Sequence, residues 1–404
     1  MAARFLQILK IICTSGISIV PPKKREVVLI FPHGYEIISV FVSPTNIVVA
    51  DPERLNLYFL IRTLFSKDRS TTNYLRFFIR YVQPRAVFTF IDNYVPFYGL
   101  KHLAPEPKYI AVQNGIRNNF STEPHQGFHE SIGVQPAVSA QIDFVCVFNQ
   151  SYSNLYRSLV ATKCLVTGNI KNNLTEIPSD VATTYDIAYI SQYPPSPLEG
   201  NTSQIYFNDV SFPIENFYTA ESLAVNFLSK YCAEHNLSFV VCGKRDKNFS
   251  AEREFFENAM QYQSGSFVPR ATERSTLDLA GSARIVITVD STVGYDLFSR
   301  GKRVAFFSGR LQASNPGDNR HIKDMEFGYP NDIEPTGKFW TNEASESELV
   351  RILNYLRAVT DEEWAAEIAP YNESLMAYQP GNPVFKKLLL ELGLTLIDGV
   401  KSNA

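Results

Sequence analysis

The chain has 404 residues, 45 % of them hydrophobic and 20 % charged, with a formal net charge of -3. At roughly 150 residues per domain this length suits two domains, and the ordinary globular composition excludes disordered and fibrous classes. The slightly acidic balance, without an arginine-rich stripe, speaks against nucleic acid as a partner, and the five cysteines (Cys13, Cys146, Cys164, Cys232, Cys242) lack CxxC spacing, which leaves no disulfide framework or zinc site and points to the cytoplasm.

The first segment, RFLQILKIICTSGISIVPPKKR, is apolar but interrupted by Gln7, Lys10 and Ser15, so it is too short and too polar to span a bilayer. Arg4 and Lys10 lie within it and Lys23, Lys24 and Arg25 follow. It suits either peripheral contact at the inner face of the plasma membrane or packing on the protein's own flank. After Pro21-Pro22 come short apolar runs that read as buried strands: EVVLIF, NIVVA, AVFTFI, YIAVQ, FVCVFN and CLVTG. Between them LNLYFLIRTLF and NYLRFFIRYV carry apolar residues at helical spacing, and the alternation implies parallel βαβ units. The polar stretch Asn172 to Thr184, with Pro178 inside it, reads as a linker. It divides the chain into domains 1–178 and 179–404.

A second α/β series follows. YDIAYIS is a strand, and a loop with Pro194, Pro195 and Pro197 leads to a helix around AESLAVNFLSKYCAEH. LSFVVCG and SFVPR are strands, STLDLAGSA a helix, RIVITV a strand, VGYDLFSRG a helix and RVAFF a strand. ESELVRILNYLRAV and PVFKKLLLELGLTLI close this domain as helices. Two such domains would face each other across a cleft, and in open α/β sheets ligands sit beyond the carboxyl ends of the strands.

Strand ends are therefore where chemistry is sought. RIVITV ends at Asp290, and Ser291 and Thr292 fall in the first turn of the next helix, where unpaired backbone N–H groups and the helix dipole favour an anion such as phosphate. The same residue types are also routine helix caps. Asp296, one turn on, suits a ribose hydroxyl or simply complements the dipole. Lys244 and Arg245 follow the end of FVVCG, Arg270 follows FVP, and Ser191 and Gln192 end the first strand of the second domain. These cations suit phosphate or carboxylate, or a solvated turn. In the first domain Glu36, Asp92 and Gln113 stand at strand ends, where a carboxylate could act as general base or nucleophile or merely cap a helix. HExxH, GxSxG, GxxxxGK[ST] and GxGxxG motifs are absent. His125 and His129 have helical spacing, but Pro124 and Gly127 make a loop of that stretch, and no metal or cofactor is called for.

Taken together, GYE, FIDN, AVQNGIRNN, VTGNIKNN, AYISQY, FVPR, ITVDSTVGYDLFSRGKRVAFFS and GKFWTN resemble the bacterial surface-carbohydrate (O-antigen type) biosynthesis proteins. One departure is that such proteins tend to carry an acidic residue just after the first strand, where this chain has Phe31 and Pro32. The resemblance implies a GT-B architecture of two Rossmann-like domains and a metal-independent glycosyltransferase. Its donor would be a nucleotide sugar, extended in the wider family to CMP-activated 3-deoxy-oct-2-ulosonic (Kdo) or nonulosonic acids, and its acceptor a glycan or lipid-linked glycan. It places the donor phosphate on Ser291 and Thr292 with Lys244 or Arg245 assisting, and Glu36, Asp92 and Gln113 near the reacting carbon. A UDP-sugar epimerase of the same layout and a non-catalytic binding protein are the alternatives.

Overall fold

The computed structural model describes residues 18–118, 127, 132, 140–174, 183–193, 204–207, 210–247, 249–262, 265–272, 274–315, 317 and 322–397. The leading segment through residue 17, His125, His129, residues 175–182 of the linker and the three prolines after Tyr193 lie outside them. The chain forms two compact units: Met1–Asn114, Ile132–Leu174 and Gln379–Ala404 in the first, Gly115–Ser131 and Thr175–Tyr378 in the second.

The first unit holds β1 (Val27–Ile30), α1 (Tyr35–Ile38), β2 (Ile47–Ala50), α2 (Leu57–Leu64), α3 (Thr71–Val82), β3 (Ala86–Thr89), α4 (Leu100–Leu103), β4 (Lys108–Val112), β5 (Gln141–Val147), α5 (Gln150–Leu159), β6 (Ala161–Val166) and α6 (Ile170–Asn173). Its six strands pair in the order β2-β1-β3-β4-β5-β6, all parallel. Every residue of β1 and β3 is buried, which is why these strands read as unbroken apolar runs rather than alternating ones. Helix entry is set by short polar caps: Asn56 accepts the Tyr58 N–H at the start of α2, and Ser70 accepts the Asn73 N–H at the start of α3.

The second unit holds β7 (Tyr185–Ile190), a hairpin of β8 (Gln204–Phe207) and β9 (Val210–Pro213), α7 (Thr219–His235), β10 (Phe239–Cys242), α8 (Ser250–Ala259), β11 (Gly265–Val268), α9 (Ser275–Gly281), β12 (Ala283–Thr288), α10 (Thr292–Ser299), β13 (Val304–Phe307), α11 (Arg310–Ser314), β14 (Trp340–Thr341), α12 (Glu346–Ala358) and α13 (Asp361–Leu375). Its parallel sheet runs β11-β10-β7-β12-β13-β14. In order of appearance that is 3-2-1-4-5-6, the doubly wound order whose direction reverses between its first and fourth strands, here β7 and β12. Gly294 lets α10 lie close on this sheet, since a Cβ there would come within 2.6 Å of Thr288 Cγ2.

The closing helices divide between the units. α12 and α13 stay with the second, but the last helix, α14 (Pro383–Glu391), belongs to the first. Phe385, Leu388 and Leu389 join the core cluster of Val27, Leu29, Phe41 and Phe88, and burying each such side chain contributes about 1.5–3 kcal/mol. Asn382 fixes the register: its Oδ1 accepts from Asn173 Nδ2 at 2.9 Å and its Nδ2 donates to the Ile170 carbonyl at 3.0 Å. An apolar helix face in a sequence does not state which sheet it covers. The sequence assigns everything from residue 179 onward to the second domain, whereas the described residues from 379 to 397 pack with the first unit.

Candidate functional site

The carboxyl ends of β7, β10, β11 and β12 enclose a cavity of about 280 Å³ in the second unit. Ser191 and Gln192 continue β7, Lys244 follows β10, Arg270 follows β11, Thr276 comes from α9, and Ser291, Thr292 and Val293 form the β12–α10 junction. This is the point where the sheet order reverses, the position at which such folds take ligands.

Ser291 is the N-cap of α10 by backbone conformation, yet its hydroxyl makes no capping hydrogen bond. Its own N–H is satisfied instead by Thr288 Oγ1 at 3.0 Å. A serine at an N-cap normally spends its oxygen on the helix's N–H groups; here Ser291 lines the cavity together with Thr292 and Val293, the first residues of α10. Thr292 Oγ1 accepts the Ile116 N–H at 3.4 Å. Thr276 donates to the Gly243 carbonyl at 3.0 Å, tying α9 to the β10 end. Lys244 and Arg270 supply positive charge, Arg270 lying 3.9 Å from Asp246. Desolvation holds the Lys244 ammonium below the ordinary lysine value, opposed by the carboxylates of Glu221, Asp290 and Glu252.

Beneath the cavity lie two fully buried carboxylates. Glu252 of α8 accepts the Ser191 hydroxyl at 2.5 Å and the Lys244 N–H at 2.8 Å, joining the ends of β7 and β10. Glu221 of α7 accepts the Tyr189 hydroxyl at 2.8 Å and the Gln192 N–H at 3.2 Å. Burial raises the Glu221 carboxyl above the usual range, against the pull of Arg310 and the hydroxyl of Tyr189. Arg310, the first residue of α11, is itself buried. Its Nη2 lies 2.8 Å from Asp290 and 3.4 Å from Glu221, its Nη1 donates to the Phe217 carbonyl at 2.8 Å, and its guanidinium lies 4.1 Å from the Phe217 ring centroid. Burial opposes its charge, but Asp290 and Glu221 together outweigh that and hold the guanidinium above its ordinary value.

The strand-end residues thus separate into two groups. Ser191, Gln192, Lys244, Arg270, Ser291 and Thr292 line the cavity. Among the described residues lining it, Asp290, Arg245 and Asp296 do not appear. Asp290 turns to Arg310, the Arg245 carbonyl accepts the Arg270 N–H at 2.9 Å, and Asp296 is buried within α10. Thr276, Glu221, Glu252 and Arg310 were not singled out from sequence. Arg310 alone carried the signal used elsewhere, since it closely follows the apolar run RVAFF.

In the first unit Glu36 is exposed in the first turn of α1, whose N-cap Gly34 has φ 87°. A side chain at residue 34 would meet the Phe90 ring at 2.2 Å, so both the conformation and the close approach require glycine. Asp92 is fully buried. Its Oδ1 accepts the Asn114 N–H at 3.0 Å, its Oδ2 accepts the Tyr156 hydroxyl, and its carbonyl accepts the Tyr98 hydroxyl at 2.6 Å. Gln113 is also buried, its Oε1 accepting the Phe148 N–H at 2.9 Å. Asp92 and Gln113 brace the strand ends from within, whereas Glu36 faces solvent. Among the described residues no group of three His, Cys, Asp or Glu side chains is placed to hold a metal ion, and no helix is long and apolar enough to cross a membrane.

Residues 110–392 match the model of a family described as "putative O-antigen biosynthesis protein". Among solved structures, the "S. aureus MnaA-UDP co-structure" is similar at 13 % identity, covering 92 % of this chain and 98 % of that one with a TM-score of 0.55. A "putative UDP-N-acetylglucosamine 2-epimerase" from Listeria monocytogenes is similar at 12 % identity over 91 % and 95 % of the two chains, TM-score 0.53. Sucrose-phosphate synthase from Thermosynechococcus elongatus is similar at 12 % identity over 92 % and 99 %, TM-score 0.52. A search of curated proteins finds no match. With its two parallel six-stranded sheets, the chain has the GT-B fold of two Rossmann-like units.

Proposed function

Because the chain belongs to that O-antigen biosynthesis family, we propose that it is a glycosyltransferase of bacterial surface-polysaccharide assembly, taking its sugar from a nucleotide-activated donor. The observation that carries this reading is the Ser291 hydroxyl, free of capping duty, beside the open N-terminus of α10 at the reversal point of the second sheet. Three kinds of anion-binding group converge there: helix N–H groups, the hydroxyls of Ser291 and Thr292, and the cations of Lys244 and Arg270. An acceptor hydroxyl attacks the anomeric carbon of the donor and loses its proton to Glu36. The bond from that carbon to the phosphate oxygen breaks, and the charge left on the departing nucleotide is met by these fixed groups. No step in this scheme requires a metal ion. Asp92 and Gln113 act as positioning residues, and the acceptor is a glycan or lipid-linked glycan.

The S. aureus co-structure contains UDP, which favours a uridine nucleotide as donor carrier over the CMP-activated keto acid. Thermal-shift titration with UDP, CDP, GDP and CMP decides between them, since a ligand that binds only the native state raises its stability. Replacing Ser291 and Thr292 together by alanine weakens binding of the preferred nucleotide by roughly 10–100-fold or more, since a single hydrogen bond to a charged group is worth about that much. Unchanged affinity overturns the site. Product analysis separates the alternatives: an epimerase converts the donor without any acceptor, and a binding protein retains every function after Glu36→Gln.

A further inference from the structure

We propose that the outer face of α2 and the turn after it is a docking surface for an anionic lipid bilayer, an assignment that goes beyond the transferase reading and does not depend on it. α2 buries one face and leaves the other apolar. Phe59 and Thr63 point into the unit, while Tyr58, Ile61 and Phe65, spaced three and four residues apart on the opposite side, are exposed, Ile61 to 45 % and Phe65 to 90 %. Isolated exposed apolar residues are ordinary, but a row of them on one helix face is not. The chain entering this region extends the row. Ser18 bridges to Asn56 at the start of α2, Asn56 Nδ2 donates to the Val20 carbonyl at 2.9 Å, and Ile19 and Val20 are 71 % and 79 % exposed.

Charge identifies the occupant. From Leu57 to Val82 the basic residues are Arg62, Lys67, Arg69, Arg76 and Arg80 and the only acidic residue is Asp68, in a chain whose net charge is -3. Arg62 rises from the apolar row, its guanidinium 5.3 Å from the Tyr58 ring and 5.6 Å from the Phe77 ring, and Arg76 lies 4.8 Å from Phe77. Guanidinium groups seated on aromatic rings beside protruding aliphatic side chains suit the boundary where acyl chains meet phosphate headgroups. A second copy of the chain docked symmetrically would bring these cations against one another. A neutral surface would leave them uncompensated.

The test is co-sedimentation of the full-length protein with phosphatidylglycerol-containing vesicles and with pure phosphatidylcholine vesicles. Wild type partitions onto the anionic vesicles. I61S/F65S and, separately, R62E/K67E/R69E each lower that partition by about tenfold or more, the first because each CH2 buried in the membrane contributes about 0.8 kcal/mol and the second because each cation at an anionic surface contributes about a factor of five. All five positions are exposed, and the circular dichroism melt of each variant stays that of wild type. F5S/I8S/I12S, in the leading segment, retains part of the partition. The proposal is overturned if both α2 variants bind as wild type does, or if phosphatidylcholine is bound equally. It is also overturned if I61S/F65S converts a dimer to a monomer in light scattering, which would make the face a subunit interface.

Discussion

Replacing Arg310 by methionine keeps most of the side chain's volume and removes its charge. In the native protein this guanidinium faces Asp290 at 2.8 Å and Glu221 at 3.4 Å and donates to the Phe217 carbonyl at 2.8 Å, all inside the second unit. Removing one partner of a buried ion pair costs about 3–5 kcal/mol, because the other is left charged without compensation. Here two carboxylates are left, one of them wholly buried. For a unit of this size the melting temperature falls by roughly 2–4 °C per kcal/mol, a total on the order of 10 °C by differential scanning fluorimetry. The sign of the pH dependence follows from Glu221, whose carboxyl is already raised by burial and is pulled back by Arg310. Without Arg310 it rises further. An acid whose folded value exceeds its unfolded value contributes less stability as pH rises through that interval, so the deficit of Arg310→Met is smaller near pH 5 than near pH 8. Adding Glu221→Gln removes the orphaned charge and restores part of the loss. A variant as stable as wild type at both pH values, or a double variant no better than the single one, would refute the reasoning.

Gly294→Ala drives a methyl group toward Thr288 Cγ2 at 2.6 Å and is expected to cost about 1–3 kcal/mol in urea denaturation, with nucleotide affinity falling as α10 is displaced. Asp92→Ala removes the carboxylate that accepts from the Tyr156 hydroxyl and the Asn114 N–H, a loss of about 3 kcal/mol. Asp92→Asn lowers stability less and reduces turnover only in proportion to unfolding. A folded, inactive Asp92→Asn protein would instead make Asp92 the base. Because desolvation lowers the Lys244 pKa, nucleotide affinity declines with rising pH before an ordinary lysine would titrate, and Lys244→Gln abolishes that decline; an identical profile in the variant removes Lys244 from the phosphate site.

The strands were legible because parallel strands covered on both faces are continuous apolar runs, and β1, β3, β4, β10, β12 and β13 all show this. The hairpin β8–β9 lies in a stretch that reads as a proline-rich loop, although Ile205, Phe207, Val210 and Phe212 recur two apart within each strand and are buried. That signal spans only a few residues on each side of a turn. The stretch from Ser308 to Trp340 looks like a loop because it is rich in Gly, Pro and Asn. Yet Phe327 stacks on Tyr295 at 6.0 Å and on Trp340 at 5.2 Å, and Ile322 and Met325 join the hairpin's core cluster. Packing by single aromatic residues at irregular intervals has no period to detect.

The residues of the site divide along the same line. A cavity-lining residue at a strand end follows from local chain geometry, so Ser191, Lys244, Arg270, Ser291 and Thr292 were accessible to inspection of the sequence. Glu221, Glu252 and Arg310 act across the fold, joining residues separated by as many as 118 positions. Their spacing carries no local pattern, and a carboxylate within a helix, as in AESLAV, looks like an ordinary solvated residue. Asp290 shows the cost of stopping at the strand end. Its position suits a ligand contact, but a buried arginine opposite captures it, and the carboxylate then holds the β12–α10 turn in place beneath Ser291. An acidic group turned away from the cavity in this manner removes negative charge from the place where a phosphate would sit, while its pairing with Arg310 keeps the turn rigid. On the proposed function the same side chain serves the donor phosphate by its absence from the cavity lining, and only the position of Arg310 reveals this.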